Sequence, residues 1–545
     1  MFILDILKST TAQILLIIFL TVLAYSNIFQ NSFVGDDYVF IINWDKAHKI
    51  DFIPKMFMGE SAPEGHQAVY RPIRSSILTL LYQIWGLNPW GYHLYSLFVI
   101  IFSTVLVYFI TRQIVYVARG PAAAVSRRVS SVVPLPAGTR RDPSAASPLA
   151  TSFIPFITAL LFGLHPIHVE SITFMLGAMD STGALFFLLS FYFWIIRSDK
   201  IIFFYFSLFF AGAAYFTNEI TITLPLVILA YEYFFNFDNR KKPFKLKNFN
   251  LFLTHVTAWF FYLIFRIFIL GVHFKGEYLG GSFYLTMLTM VKALIKYIQI
   301  FIWPNNLSTY PTIAPGIESY TGLYAPMGKI MTQSIFDPDI LVYLVFFGAL
   351  FFATFHFRKK FPLLSFSIAW FFISLLPVSG IFPLDTLVQE RYAYLSSFGY
   401  CLFLGWAFLK IFNIKHQNFY VKYFALFIFL VLISSYFYFI YGRNQDFRNQ
   451  ITFWGKLASQ APNNPLINYY LAAEYQYAGR DMEAIRYFEK VLQVAPNAPD
   501  VYFRLGQIDQ KKGNLEEAII NYQKALRFDP GYLPAQQALG DQVKK

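Results

Sequence analysis

Residues 175–196 read MLGAMDSTGALFFLLSFYFWII, a block that is apolar apart from Asp180 and a few hydroxyl side chains. A helix rises about 1.5 Å per residue, so a block of this length crosses a hydrocarbon layer about 30 Å thick. Similar blocks recur along the 545-residue chain, which is 56% hydrophobic, 20% aromatic and only 14% charged. Because soluble domains carry about 25% charged residues, the composition excludes a water-soluble enzyme. It predicts an all-α protein that spans the membrane many times.

Eleven apolar blocks are predicted to span the membrane. A further block, 285–303, is interpreted as a surface or re-entrant helix, because counting it as a span would place the basic loop 357–361 on the outer side. The eleven predicted spans are 11–30, 92–111, 152–164, 175–196, 201–217, 220–235, 250–271, 338–356, 362–379, 392–409 and 423–441.

The net charge of +13 follows from membrane topology. Six segments between apolar blocks hold 20 Lys or Arg residues and only four Asp, and the positive-inside rule places such segments in the cytoplasm. We therefore expect no nucleic-acid partner, a cytoplasmic N-terminus and a first extracytoplasmic loop at 31–91. These six basic segments are 1–10, 112–150, 197–200, 236–249, 357–361 and 410–422.

The segment 117–151 differs in composition from the rest of the transmembrane domain. It contains no aromatic residue and is rich in Ala, Pro, Arg and Ser, which predicts a disordered cytoplasmic linker. An insertion and a misread frame in the source sequence are both open explanations. Recovery of these peptides from native protein would exclude the second.

A 34-residue period follows the transmembrane domain, which we assign to residues 1–442. Residues 463–496 align without a gap with residues 497–530. Small residues recur where the two helices of a hairpin touch, and a closing proline recurs where the second helix ends. This pattern is typical of tetratricopeptide repeats and predicts an extracytoplasmic α-solenoid over residues 443–545.

So short a stack of repeats needs support, because about three units are required for stability. We expect it to pack against the transmembrane domain or a partner. Protein or peptide docking is the functional interpretation of the repeats, and a passive cap is the alternative.

Asp36 and Asp37 lie a few residues beyond the first span. Adjacent carboxylates repel each other, which raises the pKa of at least one and suits a general base. With other oxygen ligands the pair could hold a divalent metal such as Mg²⁺ or Mn²⁺. The alternative is a solvated loop turn without a functional role. The only cysteine, Cys401, excludes an intramolecular disulfide and a cysteine zinc site.

Other ionisable residues gather at the same predicted face, where charges are costly and usually border a cavity. The trio His165, His168 and Glu170 could ligate a metal, but Pro166 interrupts the helix, so hydrogen bonding at a helix end is the favoured interpretation. Arg391 is suited to grip a phosphate through two parallel hydrogen bonds, with an ion pair to Glu390 as the alternative. The residues at this face are His165, His168, Glu170, Asp180, Glu219, Glu390 and Arg391.

Six motifs in this order, followed by the repeats, resemble the transmembrane and tetratricopeptide repeat-containing O-mannosyltransferases and their bacterial relatives. The resemblance covers nearly the whole chain except 117–151. The motifs are GDDYVF (35–40), YRPIRSSILTLLYQIWGLNPWGYHL (70–94), HPIHVESITF (165–174), TNEITITLPLVILAYEY (217–233), WPNNLSTYP (303–311) and ERYAYLSSFGYC (390–401).

The resemblance implies a C-type glycosyltransferase fold, a polyprenyl-phosphate-linked sugar as donor and transfer with inversion to a protein hydroxyl or a glycan. Asp36 or Asp37 would be the base, and Arg391 would hold the phosphate with Arg71, Arg74 and Glu390 nearby. The pocket would be lined by His165, His168, Glu170, Asp180 and Glu219.

The chain departs from the family at three positions that are often cationic in relatives. Relatives often carry Arg or Lys at the positions of Ala178 and Met179 and Lys at the position of Asn218. This departure keeps open a non-catalytic alternative, a membrane scaffold or transporter whose repeats recruit partner proteins. The expected location is a bacterial inner membrane, with the repeats outside the cytoplasm.

Overall fold

The fold is described from a computed structural model, over residues 9–66, 69–118, 148–236, 249–272, 276–314, 317–318, 332–384, 386–412 and 419–543. Most of the segment 117–151 lies outside these residues, so its assignment as a linker stays a prediction. Within the described residues the protein is almost entirely helical, which confirms the all-α prediction; two short antiparallel strands, Thr312–Ala314 and Ile317–Glu318, are its sheet.

Seven helices have the length and apolarity of a membrane span, and a bent pair, Phe153–Leu164 with Pro166–Thr173, turns by 48° at its break. Three shorter apolar helices, Ile201–Tyr215, Pro362–Val378 and Ser396–Ile411, accompany them. The chain is therefore a multi-pass membrane protein. The seven long helices are Thr10–Gln30, Pro89–Ala118, Met175–Ile196, Phe249–Ile269, Phe283–Ile302, Pro338–His356 and Tyr423–Gln445.

Ten of the eleven predicted spans coincide with these helices, and the block 220–235 differs. It begins as a 3₁₀ helix, Glu219–Thr223, continues as the α-helix Leu224–Tyr231, and ends in a π turn, Glu232–Asn236. The change from 3₁₀ to α geometry falls at Pro225, which lacks the N–H that an interior helical position donates. The regular part is eight residues long and is shorter than a membrane span.

The predicted cytoplasmic loops meet at one end of the helical bundle. Arg197 pairs with Glu232 at 2.7 Å, and Arg358 lies 5.1 Å from the centre of the Tyr233 ring. The repeats contact the other end, which we call the repeat side. This arrangement agrees with the alternation of loops that the charge pattern predicts.

Helix Phe283–Ile302 is long and apolar enough to cross a membrane, yet its contacts run along the repeat side. In its middle Met290 approaches Gly380 and Lys292 pairs with Asp339 at 3.1 Å, and near its end the Phe301 carbonyl meets His165. These partners lie at the ends of other helices or in the loop that joins them. The contacts favour the predicted surface helix over an additional span.

The first loop, 31–91, folds into short elements on the repeat side. Its longest element is the helix Pro72–Trp85, which begins at a proline, favoured in the first turn, and ends at Gly86, whose φ of 56° suits glycine. This helix carries Arg74, and Arg71 immediately precedes it. The other short elements are Tyr38–Ile42, Asp45–His48, Ile50–Phe52 and Ile53–Phe57.

The repeat region forms helical hairpins, as the period predicts. A side chain at Gly506 would meet the Tyr522 ring at 2.6 Å, so the small residue allows the two helices of the second hairpin to touch. Gly479 and Gly513 turn the chain between helices with positive φ. The helices are Gln450–Gln460, Pro465–Tyr477, Asp481–Val494, Pro499–Lys511, Leu515–Phe528 and Leu533–Val543.

The first repeat helices share one hydrophobic core with the transmembrane helices. Phe453, Trp454, Leu457 and Leu471 belong to this core, whereas a separate core begins at Ala472 within the stack. The stack therefore packs against the transmembrane domain, as its small size leads us to expect.

Candidate functional site

Two arginines of the first loop meet two carboxylates of the bundle. Arg71 Nη1 donates to both oxygens of Asp180, at 2.8 and 2.7 Å, and Arg71 Nε donates to Glu219 at 2.7 Å. Arg74 lies 3.6 Å from Asp180 and is 2% exposed, against the ring of Phe40. The structure thus brings together four residues from three distant parts of the sequence.

A third arginine completes this ion cluster. Arg266 Nη2 donates to Glu219 at 3.1 Å and Nη1 donates to the Tyr262 hydroxyl at 3.1 Å. Burial would raise the pKa of Glu219, but Arg71 and Arg266 outweigh it and hold that pKa at about 2. Glu219 is therefore ionised throughout the physiological range.

Arg391 and Glu390 form ion pairs with different partners. Arg391 Nε donates to Gln389 at 2.8 Å and lies 3.8 Å from Glu170, whereas Glu390 lies 3.4 Å from Arg443. The alternative of an ion pair between Glu390 and Arg391 is therefore wrong. Successive residues of a 3₁₀ helix point in different directions, which separates the two side chains.

A cleft opens on the repeat side between these charges, and we call it the outer cleft. Its empty volume, which includes space open to the solvent, is about 470 Å³. Arg71 and Arg391 contribute two positive charges to its wall, and Asp180 contributes one negative charge. Its lining consists of Arg71, Asp180, Ser181, Ala184, Asn218, Ile220, Thr221, Arg391, Tyr392, Tyr394 and Leu395.

The terminal nitrogens of Arg391 are the available cationic groups of the outer cleft. Its Nε is committed to Gln389 and Glu170, and neither Nη atom has a hydrogen-bond partner among the described residues. Arg71, in contrast, is held by two carboxylates, and Arg74 is buried behind it. Arg391 is thus the cation of the cleft best able to meet an anion.

The two aspartates of the first loop have different surroundings. Asp37 is fully buried and accepts the N–H groups of Val34 and Leu176, at 3.1 and 3.0 Å. Burial raises its pKa to about 8 against these hydrogen bonds. Asp36 is exposed, so it is the member of the pair that an incoming group can reach.

Phe174 connects Arg391 with the acidic motif of the first loop: the Arg391 guanidinium lies 5.9 Å from the centre of the Phe174 ring, and a side chain at Gly35 would meet that ring at 3.9 Å. Burial would lower the pKa of Arg391, but Glu170, Asp36 and Asp180 outweigh it and raise the pKa. An exposed carboxylate and an available guanidinium therefore face a common region. No sequence pattern places them together, because they are more than 350 positions apart.

The two histidines lie behind the cleft rather than in its wall. His165 accepts the N–H of Ile167 at 3.2 Å, which caps a 3₁₀ helix, and its other ring nitrogen meets the Phe301 carbonyl. His168 meets the Ser397 hydroxyl at 2.8 Å. Both are fully buried, so the structure does not place them, or Glu170, in the lining of the cleft.

The described residues do not fit a metal ion. They contain no group of three or more His, Cys, Asp or Glu side chains arranged to hold one. Both oxygens of Asp37 are occupied by backbone N–H groups. The pair Asp36 and Asp37 therefore does not present two free carboxylates to one point, as a divalent ion shared between them would require.

Two buried arginines, Arg266 and Arg443, escaped the sequence interpretation. Each lies in the last turns of a predicted span or just beyond it. A charged residue at such a position is usually interpreted as an exposed residue that borders the membrane. Their burial, at 5% and 7% exposed, was the missing information. A basic residue within two turns of the repeat-side end of a span is the signal that would have found them.

The positions where relatives carry cations serve packing in this chain. Ala178 and Met179 are buried, and the Asn218 side chain caps the 3₁₀ helix that starts at Glu219 by accepting the N–H of Ile220 at 3.1 Å. Arg266 supplies a cation to Glu219 from another helix. The ion cluster is therefore not short of positive charge.

Comparisons with known proteins agree with this architecture. Residues 499–532 match the tetratricopeptide repeat family. The protein O-mannosyl-transferase Tmtc3 of Drosophila melanogaster is 28% identical over 122 residues, which are 22% of this chain and 12% of the fly protein. The chain thus matches about an eighth of that relative's length.

A solved structure, ArnT from Cupriavidus metallidurans bound to undecaprenyl phosphate, is 13% identical and covers 98% of this chain and 79% of its own. Its TM-score of 0.36 is too low to establish a shared fold. The chain is thus similar to the tetratricopeptide repeat family over residues 499–532 and to the fly protein O-mannosyl-transferase over about a fifth of its own length.

Proposed function

We propose that the protein is an integral membrane glycosyltransferase that moves one sugar from a polyprenyl-phosphate donor to an extracytoplasmic acceptor hydroxyl with inversion. The observation that carries this proposal is the available guanidinium of Arg391 in the cleft wall, 5.9 Å from the Phe174 ring, which also lies against Gly35, the neighbour of the exposed Asp36. The acceptor is a protein hydroxyl or a glycan, and the repeats dock it.

The reaction needs a base on one face of the sugar and a stabilised leaving group on the other. Asp36 takes the proton of the acceptor hydroxyl while the hydroxyl oxygen forms a bond to the anomeric carbon. The bond between that carbon and the phosphate oxygen breaks, and its electron pair leaves with the lipid phosphate. Because the two events occur on opposite faces, the anomeric configuration inverts.

The charges of the outer cleft suit the leaving phosphate. Arg391 offers its two terminal nitrogens, which match two phosphate oxygens in a bidentate contact. Arg71 contributes a second positive charge to the wall, and its position is fixed by Asp180 and Glu219. A preorganised cation stabilises charge that develops as the bond breaks.

We assign Asp37 a positioning role rather than a catalytic one. Its carboxyl group joins the first loop to the start of helix Met175–Ile196 through the Leu176 N–H. That helix also carries Asp180, which holds Arg71. Asp37 therefore sets the distance between the exposed Asp36 and the cationic wall.

The transporter alternative receives no support from the described residues. Asp180, Arg266 and Arg443 lie near the repeat side, and the pair Arg197 and Glu232 lies at the opposite end. The long middle of the bundle separates these groups, so no chain of charged side chains joins the two ends within the described ranges.

Asp36→Asn tests the proposed base. We expect transfer from a polyprenyl-phosphate sugar to fall by about 10²- to 10⁴-fold, the usual contribution of a general base, with the melting temperature unchanged because Asp36 is exposed. Asp37→Asn is the matched comparison and is expected to lower the melting temperature. Full transfer activity in Asp36→Asn would reject the assigned base.

A further inference from the structure

The first repeat helices form one wall of the region around Asp36. The N–H of Gly35 donates to Gln450 at 3.0 Å, and the N–H of Ser32 donates to the Arg448 carbonyl at 3.0 Å. A side chain at Gly35 would meet the Phe453 ring at 3.3 Å. The acidic motif and the start of the repeats are therefore in direct contact.

Two tyrosines stand at this contact. Tyr470 stacks on Trp454 at 4.6 Å between ring centres and is 41% exposed, and Tyr38 is 39% exposed. Burial raises the pKa of both, and carboxylates raise it further: Asp36 acts on Tyr470 and Glu474 acts on Tyr38. Tyr38 belongs to the acidic motif, and Tyr470 is joined to that motif through Trp454 and Phe453, whose ring lies against Gly35. Glu474 follows Tyr470 by one turn of the same helix, so the two side chains lie on one helix face.

The charges around these two tyrosines are negative. Asp37 and Glu474 act on Tyr38, while Asp36 and Asp500 act on Tyr470. Arg504 is the cation of this group: it donates to the Tyr477 hydroxyl at 2.9 Å and also acts on Glu474, where it opposes the rise in pKa that burial causes. The Glu474 carboxylate makes no hydrogen bond or close ion pair within the part of the chain that the structure describes.

The negative charge around the two tyrosines is opposite in sign to the positive charge of the arginines in the outer cleft. An anionic phosphate is attracted to Arg391 and Arg71 and is repelled from Asp36 and Glu474. The donor and acceptor sides of the proposed site are therefore separated by charge. An acceptor that approaches Asp36 passes Tyr38, Tyr470 and Glu474, and these residues can select it.

We propose that Tyr38, Tyr470 and Glu474 form the acceptor edge of the active site and select a polypeptide whose Ser or Thr hydroxyl lies beside a Lys or Arg. This inference rests on the proposed function, because Asp36 is the base that the hydroxyl must reach. A basic side chain meets Glu474 and the tyrosine faces together, through charge and cation–π contact. A neutral glycan would use the rings alone.

The test measures peptide binding separately from sugar transfer. The full-length protein in lipid nanodiscs is titrated, by fluorescence anisotropy, against labelled peptides that differ by Lys, Gln or Glu beside one threonine. We expect the Lys peptide to bind about three- to fivefold tighter than the Gln peptide, and the Glu peptide to bind weakest. Glu474→Lys should reverse this order, while Glu516→Lys, on the exposed face of a later repeat helix, should preserve it.

Equal affinity for the three peptides in the wild type would overturn the acceptor edge. Displacement of the Lys peptide by a neutral oligosaccharide, with no effect of Glu474→Gln, would also overturn it in favour of a glycan acceptor. Asp36→Asn keeps the peptide order and loses transfer if both proposals hold. Peptide discrimination without any consumption of donor in the wild type would reject the glycosyltransferase and leave the binding edge standing.

Discussion

At the scale of single residues, identical side chains have different roles because burial differs. Asp36 and Asp37 are chemically equal in the sequence, but one is exposed and the other accepts two backbone N–H groups. The same holds for Arg71, Arg74 and Arg391, which differ in how many carboxylates already hold them. Sequence alone names such residues and cannot rank them, since neighbours from distant segments decide their availability.

Arg391→Ala is expected to weaken use of the lipid donor. Loss of two charged hydrogen bonds costs about 1.5–3 kcal/mol each, so the apparent KM for a polyprenyl-phosphate sugar should rise at least tenfold. Arg391→Lys should recover part of the loss, because it keeps charge without the planar fork. Arg358→Ala, at the opposite end of the bundle, serves as the control, and an unchanged KM in Arg391→Ala would contradict the phosphate role.

Asp37 predicts a pH dependence of stability. Its folded pKa of about 8 exceeds the ordinary value of about 3.9, so the folded state binds the extra proton between these limits. The stability that this proton provides is present below pH about 4 and is lost as the pH rises toward 8. The melting-temperature advantage of the wild type over Asp37→Asn should therefore shrink across that window.

The melting temperature of Asp37→Asn must be subtracted from that of the wild type at each pH, because Glu390 titrates in the same range. Burial raises the pKa of Glu390 to about 8 as well. A difference between wild type and Asp37→Asn that stays constant from about pH 4 to about pH 8 would contradict the assignment.

At the scale of elements, interrupted spans and amphipathic helices are the places where the sequence-based prediction and the structure are hardest to match. Most spans follow from apolar length alone, but the block 220–235 breaks into three helical types at Pro225. Helix Phe283–Ile302 has the length of a span and the contacts of a surface helix. Hydropathy counts apolar residues and does not show whether lipid or protein covers them.

Cysteine labelling distinguishes the two placements of helix Phe283–Ile302. The native Cys401 is buried, so new cysteines at Tyr284 and Asn305, which are exposed, provide clean sites. If the helix lies on the membrane surface, an impermeant maleimide should label both variants from the same side. Lys359→Cys should react only after permeabilisation, and labelling of Tyr284→Cys and Asn305→Cys from opposite sides would establish a span.

At the scale of the whole molecule, the repeats are part of the folded unit rather than an appendage. Composition locates the change from aromatic spans to repeats near Gly442, and the 34-residue period gives the hairpins correctly. The position of the stack was not predictable, because it depends on Phe453, Trp454 and Leu457 fitting a surface made by several distant spans. The ion cluster escaped prediction for the same reason.

Two truncations test this unity. Deletion of residues 480–545 removes most of the second core and keeps Phe453, Trp454 and Leu457, so the melting temperature of the transmembrane domain should stay within a few degrees of wild type. Deletion of residues 449–545 also removes Phe453, Trp454 and Leu457, each worth about 1.5–3 kcal/mol of apolar burial, and should cause a large drop. Size-exclusion chromatography after heating reports both, and equal stability of the two truncations would show that the repeats are independent.

The hydrogen bonds from Ser32 and Gly35 to Arg448 and Gln450 join the first loop to the segment that follows the last predicted span. A ribosome adds more than 400 residues between them, and domains generally form from the N-terminus onward. The acidic motif consequently lacks these hydrogen bonds until the last predicted span has been inserted. A nascent chain that ends before Gln450 would therefore hold the acidic motif without these contacts.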